Sequence, residues 1–174
     1  MKQLQEYITE IPDFPKKGII FRDITTVLTN PDGFRLAVDE FMRILEDTEF
    51  DLIAGIEARG FVFGAPLAYE FGKPLVLVRK KGKLPRETVS QSYKLEYGTA
   101  EIEIHRDDIK KGQKVVLIDD ILATGGTLEA AVRLIEKQGG EVVKILCLVE
   151  LEGLNGRDNL KKYDVKSLVA YEGA

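Results

Sequence analysis

The sequence is poor in the residues that build cross-links and metal clusters: among 174 residues it has one cysteine, one histidine and no tryptophan. One cysteine excludes a disulfide framework within the chain. Cys147 lies in the apolar run Val142–Val149, where we expect it to pack as a buried small hydrophobe. His105 has no cysteine or second histidine with which to share a metal, so we interpret it as a structural or surface residue.

Strong charge of one sign and long apolar runs are also missing. The net charge of −4 gives no basic field, which argues against nucleic acid as the main partner. No stretch approaches the roughly 18 consecutive apolar residues of a membrane span. The N-terminal residues lack the apolar core of a signal peptide. We therefore expect a cytoplasmic protein with no membrane partner.

The composition that is present is ordinary for a globular protein. Hydrophobic residues make up 44% of the chain and charged residues 31%, which is typical of a folded domain with a sizeable core. The length suits one such domain. We expect residues 1–174 to form a single domain.

Apolar runs alternate with helical patterns along most of the chain. The predicted strands cover residues 51–56, 75–78, 115–118, 142–149 and 165–170, and the predicted helices include residues 61–71 and 127–138. Strands that alternate with helices form parallel pairs with right-handed crossovers. The pattern predicts an α/β fold with a doubly wound, mostly parallel central sheet.

The N-terminal region and one internal segment depart from this alternation. Residues 1–35 carry no strand–helix–strand pattern, so we expect a small hood over the carboxyl edge of the sheet. Apolar spacing predicts a short helix from Leu4 to Ile11, and Asp32 is predicted to cap the next helix. Residues 84–93 are polar with little to anchor them, and we interpret them as a mobile loop. A hairpin around residues 97–99 and a short helix over residues 154–162 complete the prediction.

The most informative stretch is Val115–Thr127, which reads VVLIDDILATGGT. Its apolar start is typical of a strand buried on both faces, and its end leads into a helix. Asp119 and Asp120 therefore come at the carboxyl end of a strand, where ligands bind in open α/β sheets. The alternative is an acidic turn without a ligand, but two adjacent acids are costly to place there without a partner.

The residues after the acid pair can form a phosphate cradle. Adjacent glycines let several backbone N–H groups approach one point, threonines add hydroxyl donors, and the next helix adds its positive end. The acids can accept hydrogen bonds from two vicinal hydroxyls or lie near Mg²⁺ through water. Ribose 5-phosphate satisfies both halves. No lysine follows the glycines and GxGxxG is absent, so neither a Walker A loop nor a dinucleotide loop is indicated.

Two further segments follow predicted strands and so lie at the same edge of the sheet. Residues 79–86 read RKKGKLPR; the alternatives are a solvated charged turn and a site that neutralises a departing pyrophosphate. In the segment Glu57-Ala58-Arg59-Gly60, backbone N–H groups and the guanidinium of Arg59 can bind a second phosphate. The alternative for Arg59 is a surface ion pair with Glu57. Glu96 is either an exposed hairpin residue or an acid that protonates a base.

The thirteen residues from Val115 to Thr127 closely resemble the phosphoribosyl pyrophosphate (PRPP) signature of the type I phosphoribosyltransferases. Further segments resemble the adenine-specific members of that family, in the same order and across nearly the whole chain. These segments are Phe14-Pro15 with Gly18–Thr25, Glu57–Phe61, Arg79–Pro85, Tyr93–Gly98 and Leu148–Leu151.

The resemblance implies a role for each matching residue. The 5-phosphate of PRPP is held by Ala123, Thr124, Gly125, Gly126 and Thr127, and the ribose hydroxyls are held by Asp119 and Asp120. The pyrophosphate meets Ala58, Arg59 and Lys83, and adenine meets Ile20, Phe21, Arg22 and Leu151. Glu96 is implied as the acid or base toward N7 of adenine, and it forms the catalytic group together with Arg59 and Lys83.

The resemblance also implies the reaction and its partners. The 5-phosphoribosyl group of PRPP is transferred to adenine, which gives AMP and pyrophosphate and serves purine salvage. Mg²⁺ is expected as the cofactor, held by substrate oxygens and water, with no dedicated protein ligands. The family resemblance further implies the type I phosphoribosyltransferase fold and a homodimer.

Two other functions fit parts of the sequence. A phosphoribosyltransferase for hypoxanthine or guanine needs a donor such as lysine opposite the 6-oxo group, and the expected pocket wall, residues 149–154, contains none. A PRPP-sensing regulator that binds nucleic acid needs a basic face or an added helix-turn-helix. The net charge of −4 argues against this second alternative.

Overall fold

Strands and helices alternate through the part of the chain that the structure, a computed structural model, describes: residues 2–95 and 97–173. The strands are β1 Thr9–Pro12, β2 Ile20–Asp23, β3 Leu52–Ile56, β4 Leu75–Lys80, β5 Thr88–Lys94, β6 Thr99–His105, β7 Lys114–Leu122, β8 Glu141–Leu151 and β9 Val165–Tyr171. The α-helices are α1 Thr25–Leu28, α2 Pro31–Leu45, α3 Arg59–Phe71 and α4 Gly126–Lys137, and 3₁₀ helices cover Leu4–Tyr7, Glu152–Leu154 and Gly156–Leu160. None of the helices in these ranges is long and apolar enough to cross a membrane.

Seven strands form the central sheet, in the order β5-β6-β4-β3-β7-β8-β9. The pairs from β4 through β3, β7 and β8 to β9 are parallel, whereas β6 pairs antiparallel with both β4 and β5. The predicted α/β fold with a mostly parallel sheet is confirmed. The carboxyl ends of the parallel strands meet at one edge, which is where ligands bind in such sheets.

The apolar start of β7 lies at the centre of the core because both faces of the sheet are covered. Val115 and Leu117 belong to the cluster that includes the buried residues of α4, and Val116 and Ile118 belong to the cluster that includes Phe41 of α2 and Phe63 of α3. Alternate residues of a strand point to opposite faces, so a continuous apolar run serves both clusters. Each large side chain buried in this way stabilises the fold by roughly 1.5–3 kcal/mol.

Helix α2 is capped by a different residue from the one predicted. The side chain of Asn30 accepts hydrogen bonds from the N–H groups of Asp32 and Gly33 at 3.0 and 3.1 Å, and Pro31 occupies the first helical position. Proline suits that position because its nitrogen has no hydrogen to leave unpaired. The prediction that Asp32 caps the helix was therefore wrong, since Asp32 lies inside the first turn.

The N-terminal segment forms a small sheet in place of the predicted helix over Leu4–Ile11. A 3₁₀ helix covers only Leu4–Tyr7, and β1 then pairs antiparallel with β2, with Ile11 opposite Phe21. Leu4 and Ile8 are buried in the cluster that includes α2 and α3. The apolar residues at helical spacing therefore pack on the core without forming one continuous α-helix. Here tertiary contacts override the local periodicity of the sequence.

Residues 88–94 form the edge strand β5, whereas the sequence predicted an irregular loop. Val89 and Tyr93 pack against the core, and Lys137 of α4 donates a hydrogen bond to the Ser90 carbonyl at 3.3 Å. The hairpin predicted around residues 97–99 joins β5 to β6, so its first strand is longer than expected. The mobility of residues 84–93 stays a prediction. The helix predicted over residues 154–162 is instead a pair of 3₁₀ helices.

Candidate active site

The two acids of the signature stretch lie inside β7, which continues to Leu122 and not only to the predicted end at Ile118. Asp119 is 9% exposed and Asp120 is 6% exposed. The N–H group of Asp120 donates to Oδ1 of Asp119 at 2.8 Å. Two carboxyl groups are therefore buried side by side at the carboxyl end of a central strand, an arrangement that favours a ligand with hydroxyl donors.

Arg59 pairs with Asp120 and not with Glu57, the alternative partner that the sequence suggested. Its Nε atom lies 2.6 Å from Oδ2 of Asp120. The N–H direction does not meet hydrogen-bond geometry, and within the described residues Oδ2 of Asp120 is a buried oxygen without a hydrogen-bond donor. The guanidinium thus places positive charge directly against the acid pair.

The surroundings of Asp119 change its acidity. Burial, and then the charge of Asp120, raise the pKa of Asp119 well above its ordinary value. Two adjacent carboxyl groups in a buried site cannot both ionise without cost. A ligand hydroxyl or a nearby cation favours the ionised form and so offsets that cost.

Gly60 brings the start of α3 against the acid pair. A Cβ atom on Gly60 would lie 2.8 Å from the Ile118 carbonyl oxygen and 3.3 Å from Cα of Asp119. Real Cβ atoms do not approach a backbone so closely, so a glycine is needed for this contact. The sequence analysis placed Gly60 in the second phosphate segment without a packing role, and the signal that identifies it is its position directly after Arg59.

The residues after the acid pair surround a small cavity at the start of α4. The cavity has a volume of about 70 Å³, and its lining consists of Asp119, Ile121, Ala123, Thr124, Gly125, Gly126, Thr127 and Leu128. Gly125 has a φ angle of +81°, a conformation that favours glycine. The first residues of α4 line this space, and the first N–H groups of a helix have no intrahelical partner, so they are available to an anion.

A 3₁₀ helix that the sequence analysis did not connect with the site supports this loop from behind. The side chain of Asn159 donates a hydrogen bond to the Thr124 carbonyl at 3.0 Å. Gly156 packs so closely against Ala123 that a Cβ atom on it would contact the Ala123 carbonyl oxygen. No spacing signal in the sequence identifies Asn159, because it lies 35 residues from its partner.

Glu57 joins residues 57–60 to the basic residues 79–86, because three groups of the basic segment lie around its carboxyl group. Its oxygens lie 3.2 Å from Nζ of Lys83 and 3.3 Å from Nε of Arg79, and it accepts a hydrogen bond from the Lys80 N–H group at 2.8 Å. Burial acts to raise the pKa of Glu57, but these three donors outweigh it and lower the pKa. Ala58 follows directly and precedes the first residue of α3. The structure thus brings the candidate pyrophosphate residues Ala58, Arg59 and Lys83 into one region.

The candidate base residues lie where the N-terminal sheet meets the end of β8 and β9. The guanidinium of Arg22 stacks over the Tyr171 ring at 4.2 Å, and Tyr171 is the register partner of Leu151. Phe21 packs edge-on against Phe14, with ring centroids 5.3 Å apart. Ile20 is exposed, and its carbonyl accepts a hydrogen bond from Nη1 of Arg22 at 3.2 Å.

The predictions for Glu96 and for Mg²⁺ are addressed only in part by the structure. Glu96 lies outside the described residues, so its role stays a prediction. Among residues 2–95 and 97–173, no group of three or more His, Cys, Asp or Glu side chains could hold a metal ion. The acid pair nevertheless suits a Mg²⁺ ion that arrives with a substrate, because Mg²⁺ prefers oxygen ligands such as carboxylates and keeps several of its own waters.

Known proteins resemble the chain over nearly its full length. A model of the phosphoribosyl transferase domain matches residues 24–172. The adenine phosphoribosyltransferase of Agathobacter rectalis is 61% identical over 173 residues, which cover 99% of each protein. The crystal structure of adenine phosphoribosyltransferase from Thermoanaerobacter pseudethanolicus has a TM-score of 0.92 at 53% identity, over 97% of this chain and 98% of that one. The Saccharomyces cerevisiae adenine phosphoribosyltransferase, solved with adenine and an imino-altritol bisphosphate, has a TM-score of 0.90 at 38% identity, over 95% of this chain and 96% of that one.

These similarities extend beyond the signature stretch to the segments around it. The domain match begins at Ile24 and ends at Glu172, and the A. rectalis relative aligns over 99% of this chain. The family resemblance drawn from Val115–Thr127 and its flanking segments is confirmed. The chain belongs to the adenine phosphoribosyltransferase family, within the type I phosphoribosyltransferases.

Proposed function

We propose that the chain transfers the 5-phosphoribosyl group of PRPP to adenine, which yields AMP and pyrophosphate for purine salvage. The observation that carries the proposal is the position of the buried pair Asp119–Asp120 directly before a phosphate-sized cavity at the start of α4. A diol and a phosphate a few ångströms apart match these two features. The full-length similarity to named adenine phosphoribosyltransferases supports the choice of reaction.

In this proposal the end of β7 binds the ribose 5-phosphate part of PRPP. Backbone N–H groups and hydroxyls of Ala123, Thr124, Gly125, Gly126 and Thr127 donate to the 5-phosphate. Asp119 and Asp120 accept hydrogen bonds from the ribose hydroxyls. The burial of both carboxyl groups at the carboxyl end of β7 supports this role, because buried carboxylates favour hydrogen-bond donors supplied by a ligand.

The pyrophosphate is held by Ala58, Arg59 and Lys83. Positive charge beside the breaking bond stabilises the departing anion, and Mg²⁺ bound to substrate oxygens adds to that neutralisation. Lys83 exchanges its partner Glu57 for the pyrophosphate. The contacts of Lys83 and Arg79 with Glu57 support a shared role for residues 79–86 and 57–60, because Glu57 belongs to the second of these segments.

Adenine binds between the N-terminal sheet and the end of β8. Phe21 stacks on the ring, Leu151 packs on its other side, and backbone groups of Ile20 and Arg22 meet its edge. Glu96 manages the proton at N7. The contact between Arg22 and Tyr171 supports this pocket, because it holds the N-terminal sheet beside the strand that carries Leu151. The yeast relative with bound adenine supports the base assignment.

Several further features belong to the same proposal. The chain acts as one domain, with residues 1–35 as a hood and residues 84–93 as a mobile loop that closes over the reactants and excludes water. It acts in the cytoplasm as a homodimer. The edge position of β5 supports the proposed mobility of residues 84–93, since an edge strand is hydrogen-bonded to a neighbouring strand on one side only.

An assay for pyrophosphate release tests the proposal. Purified protein is incubated with PRPP, Mg²⁺ and one purine at a time, and adenine alone is expected to give rapid release. The 6-oxo group of hypoxanthine or guanine needs a hydrogen-bond donor from the protein, and residues 149–154, the expected pocket wall, contain no lysine to supply it. Release with hypoxanthine but not with adenine would overturn the base assignment, and no release with any purine would overturn the reaction.

A further inference from the structure

Glu103 is a buried acid to which neither the sequence analysis nor the proposed reaction gives a role. It lies on β6 and is 5% exposed. Burial of a carboxyl group is costly unless its oxygens are hydrogen-bonded. The partners of Glu103 therefore indicate what it does.

Among the residues that the structure describes, Glu103 accepts hydrogen bonds from three donors. Two lie in the basic turn, which we define as residues 81–87 between β4 and β5, and the third is Thr88, the first residue of β5. Its Oε1 atom accepts from the N–H groups of Gly82 and Leu84 at 3.1 and 3.3 Å. Its Oε2 atom accepts from the Thr88 hydroxyl at 3.2 Å. The two amides are the immediate neighbours of Lys83, so one oxygen holds the backbone on both sides of that lysine.

The position of Glu103 in the sheet explains why it can reach the whole turn. Its register partners are Arg79 on β4 and Ser90 on β5. The basic turn connects β4 to β5, and β6 lies between these two strands in the sheet, next to both ends of the turn. A carboxyl group at this point can tie the turn to the sheet.

Two acids thus hold Lys83 in different ways. Glu57 lies 3.2 Å from its ammonium group, and Glu103 accepts hydrogen bonds from the amides on either side of its backbone. An ordered backbone reduces the conformational entropy that a lysine loses when it meets an anion. The side chain of Lys83 remains half exposed and free to change partner.

We infer that Glu103 is a positioning residue that orders the basic turn so that Lys83 can bind pyrophosphate. This inference rests on the proposed function, which assigns the pyrophosphate to Lys83. The ligand class is a magnesium-bound diphosphate, either free or as part of PRPP. AMP has no diphosphate and should not respond to Glu103.

The test is calorimetric titration with inorganic pyrophosphate and Mg²⁺, which needs no turnover. Glu103→Ala is expected to weaken pyrophosphate binding about tenfold, since it removes hydrogen bonds to a charged acceptor. The Kd for AMP is expected to stay within about twofold of the wild-type value. Glu103→Gln retains an acceptor for both amides and is expected to rescue most of the affinity. Glu101→Ala is the matched control, because Glu101 lies on the same strand as Glu103 and its carboxylate pairs with the exposed ammonium group of Lys81.

Two further variants make the result decisive. In the Lys83→Ala background, Glu103→Ala is expected to cause no additional loss of pyrophosphate binding, because coupled residues are not additive. Glu103→Asp, a milder change that is too short to reach both amides, covers the case in which the alanine variant fails to fold. It is expected to weaken pyrophosphate binding in the same direction.

The inference is overturned if Glu103→Asp binds pyrophosphate like wild type. It is also overturned if the losses from Glu103→Ala and Lys83→Ala add, or if AMP weakens in parallel with pyrophosphate. Failure of the proposed function gives a different result. In that case the wild-type protein releases no pyrophosphate from PRPP and adenine, while the calorimetric comparison still reports whether Glu103 acts through Lys83.

Discussion

Arg59 and Asp120 lie 2.6 Å apart, although the first is assigned to the pyrophosphate and the second to the ribose. The contact joins the start of α3 to the end of β7 across the carboxyl edge of the sheet. The two halves of the proposed PRPP site therefore neutralise each other before any ligand binds. A bound PRPP molecule must replace this ion pair with contacts of its own.

The ribose assignment predicts the effect of removing both acids. Asp119→Asn combined with Asp120→Asn should weaken PRPP binding about tenfold or more, because charged acceptors for two hydroxyls are lost. Calorimetric titration with PRPP and Mg²⁺ measures the change. Asp158→Asn is the control, since Asp158 pairs on the surface with Lys161. Unchanged affinity in the double variant would sink the ribose assignment.

The buried state of Asp119 predicts a stability that depends on pH. Burial and Asp120 raise the pKa of Asp119 in the folded protein above the ordinary value of 3.8. At a pH between 3.8 and the raised pKa, the folded protein keeps a proton that the unfolded chain releases. The free energy of unfolding therefore falls as pH rises through that window. Asp119→Asn has no such proton and should lose this dependence.

Thermal unfolding of Asp119→Asn and wild type across a pH series checks this expectation. The variant should gain in Tm relative to wild type as the pH rises above about 4, by about 2–4 °C for each kcal/mol. A constant difference in Tm across the series would contradict the assigned pKa direction.

The proposed proton transfer predicts a loss of turnover on removal of Glu96. Glu96→Ala should lower kcat by about 10²- to 10⁴-fold, the range that general acid–base catalysis contributes. PRPP affinity should change little. Steady-state kinetics measure both quantities, with Glu101→Ala as a control on the neighbouring strand. Unchanged turnover would remove Glu96 from the mechanism.

The support behind the phosphate loop predicts a change at a position outside the signature. Gly156→Ala adds a methyl group against the Ala123 carbonyl, and overpacking of this kind costs about 1–3 kcal/mol. The displaced loop should bind AMP more weakly, while Gly173→Ala, which meets nothing within 4 Å, should bind it normally. Titration with AMP and thermal unfolding report the two effects. Equal AMP affinity in the two variants would show that this contact does not support the loop.

Local sequence patterns were sufficient to predict those strands and helices whose apolar residues follow one regular pattern along the chain. The four apolar residues from Val115 predicted a buried central strand, and the structure has them at the centre of β7. The prediction that Asp119 and Asp120 bind a ligand was made from their position at the carboxyl end of that strand. The strand continues beyond the acids because β8 pairs with it as far as Leu122, and a partner strand is not visible in a local pattern.

Contacts between distant residues were the part that the sequence could not predict. The alternative considered for Arg59 was an ion pair with its near neighbour Glu57, but the guanidinium meets Asp120, which is remote in the chain. Residues 88–94 look unanchored because their partners lie on β6 and α4. Asn159 and Glu103 carry no motif, and only the folded chain reveals what they hold.

The position of Cys147 gives the molecule an intrinsic probe. This single thiol is fully buried, it is the register partner of Asp119, and burial raises its pKa well above the ordinary value. Such a thiol does not react with alkylating reagents until the sheet around it opens. Ligands that bind only the folded protein reduce that opening by mass action. The rate of labelling of one native cysteine therefore measures how strongly each substrate holds the sheet closed, without any introduced label.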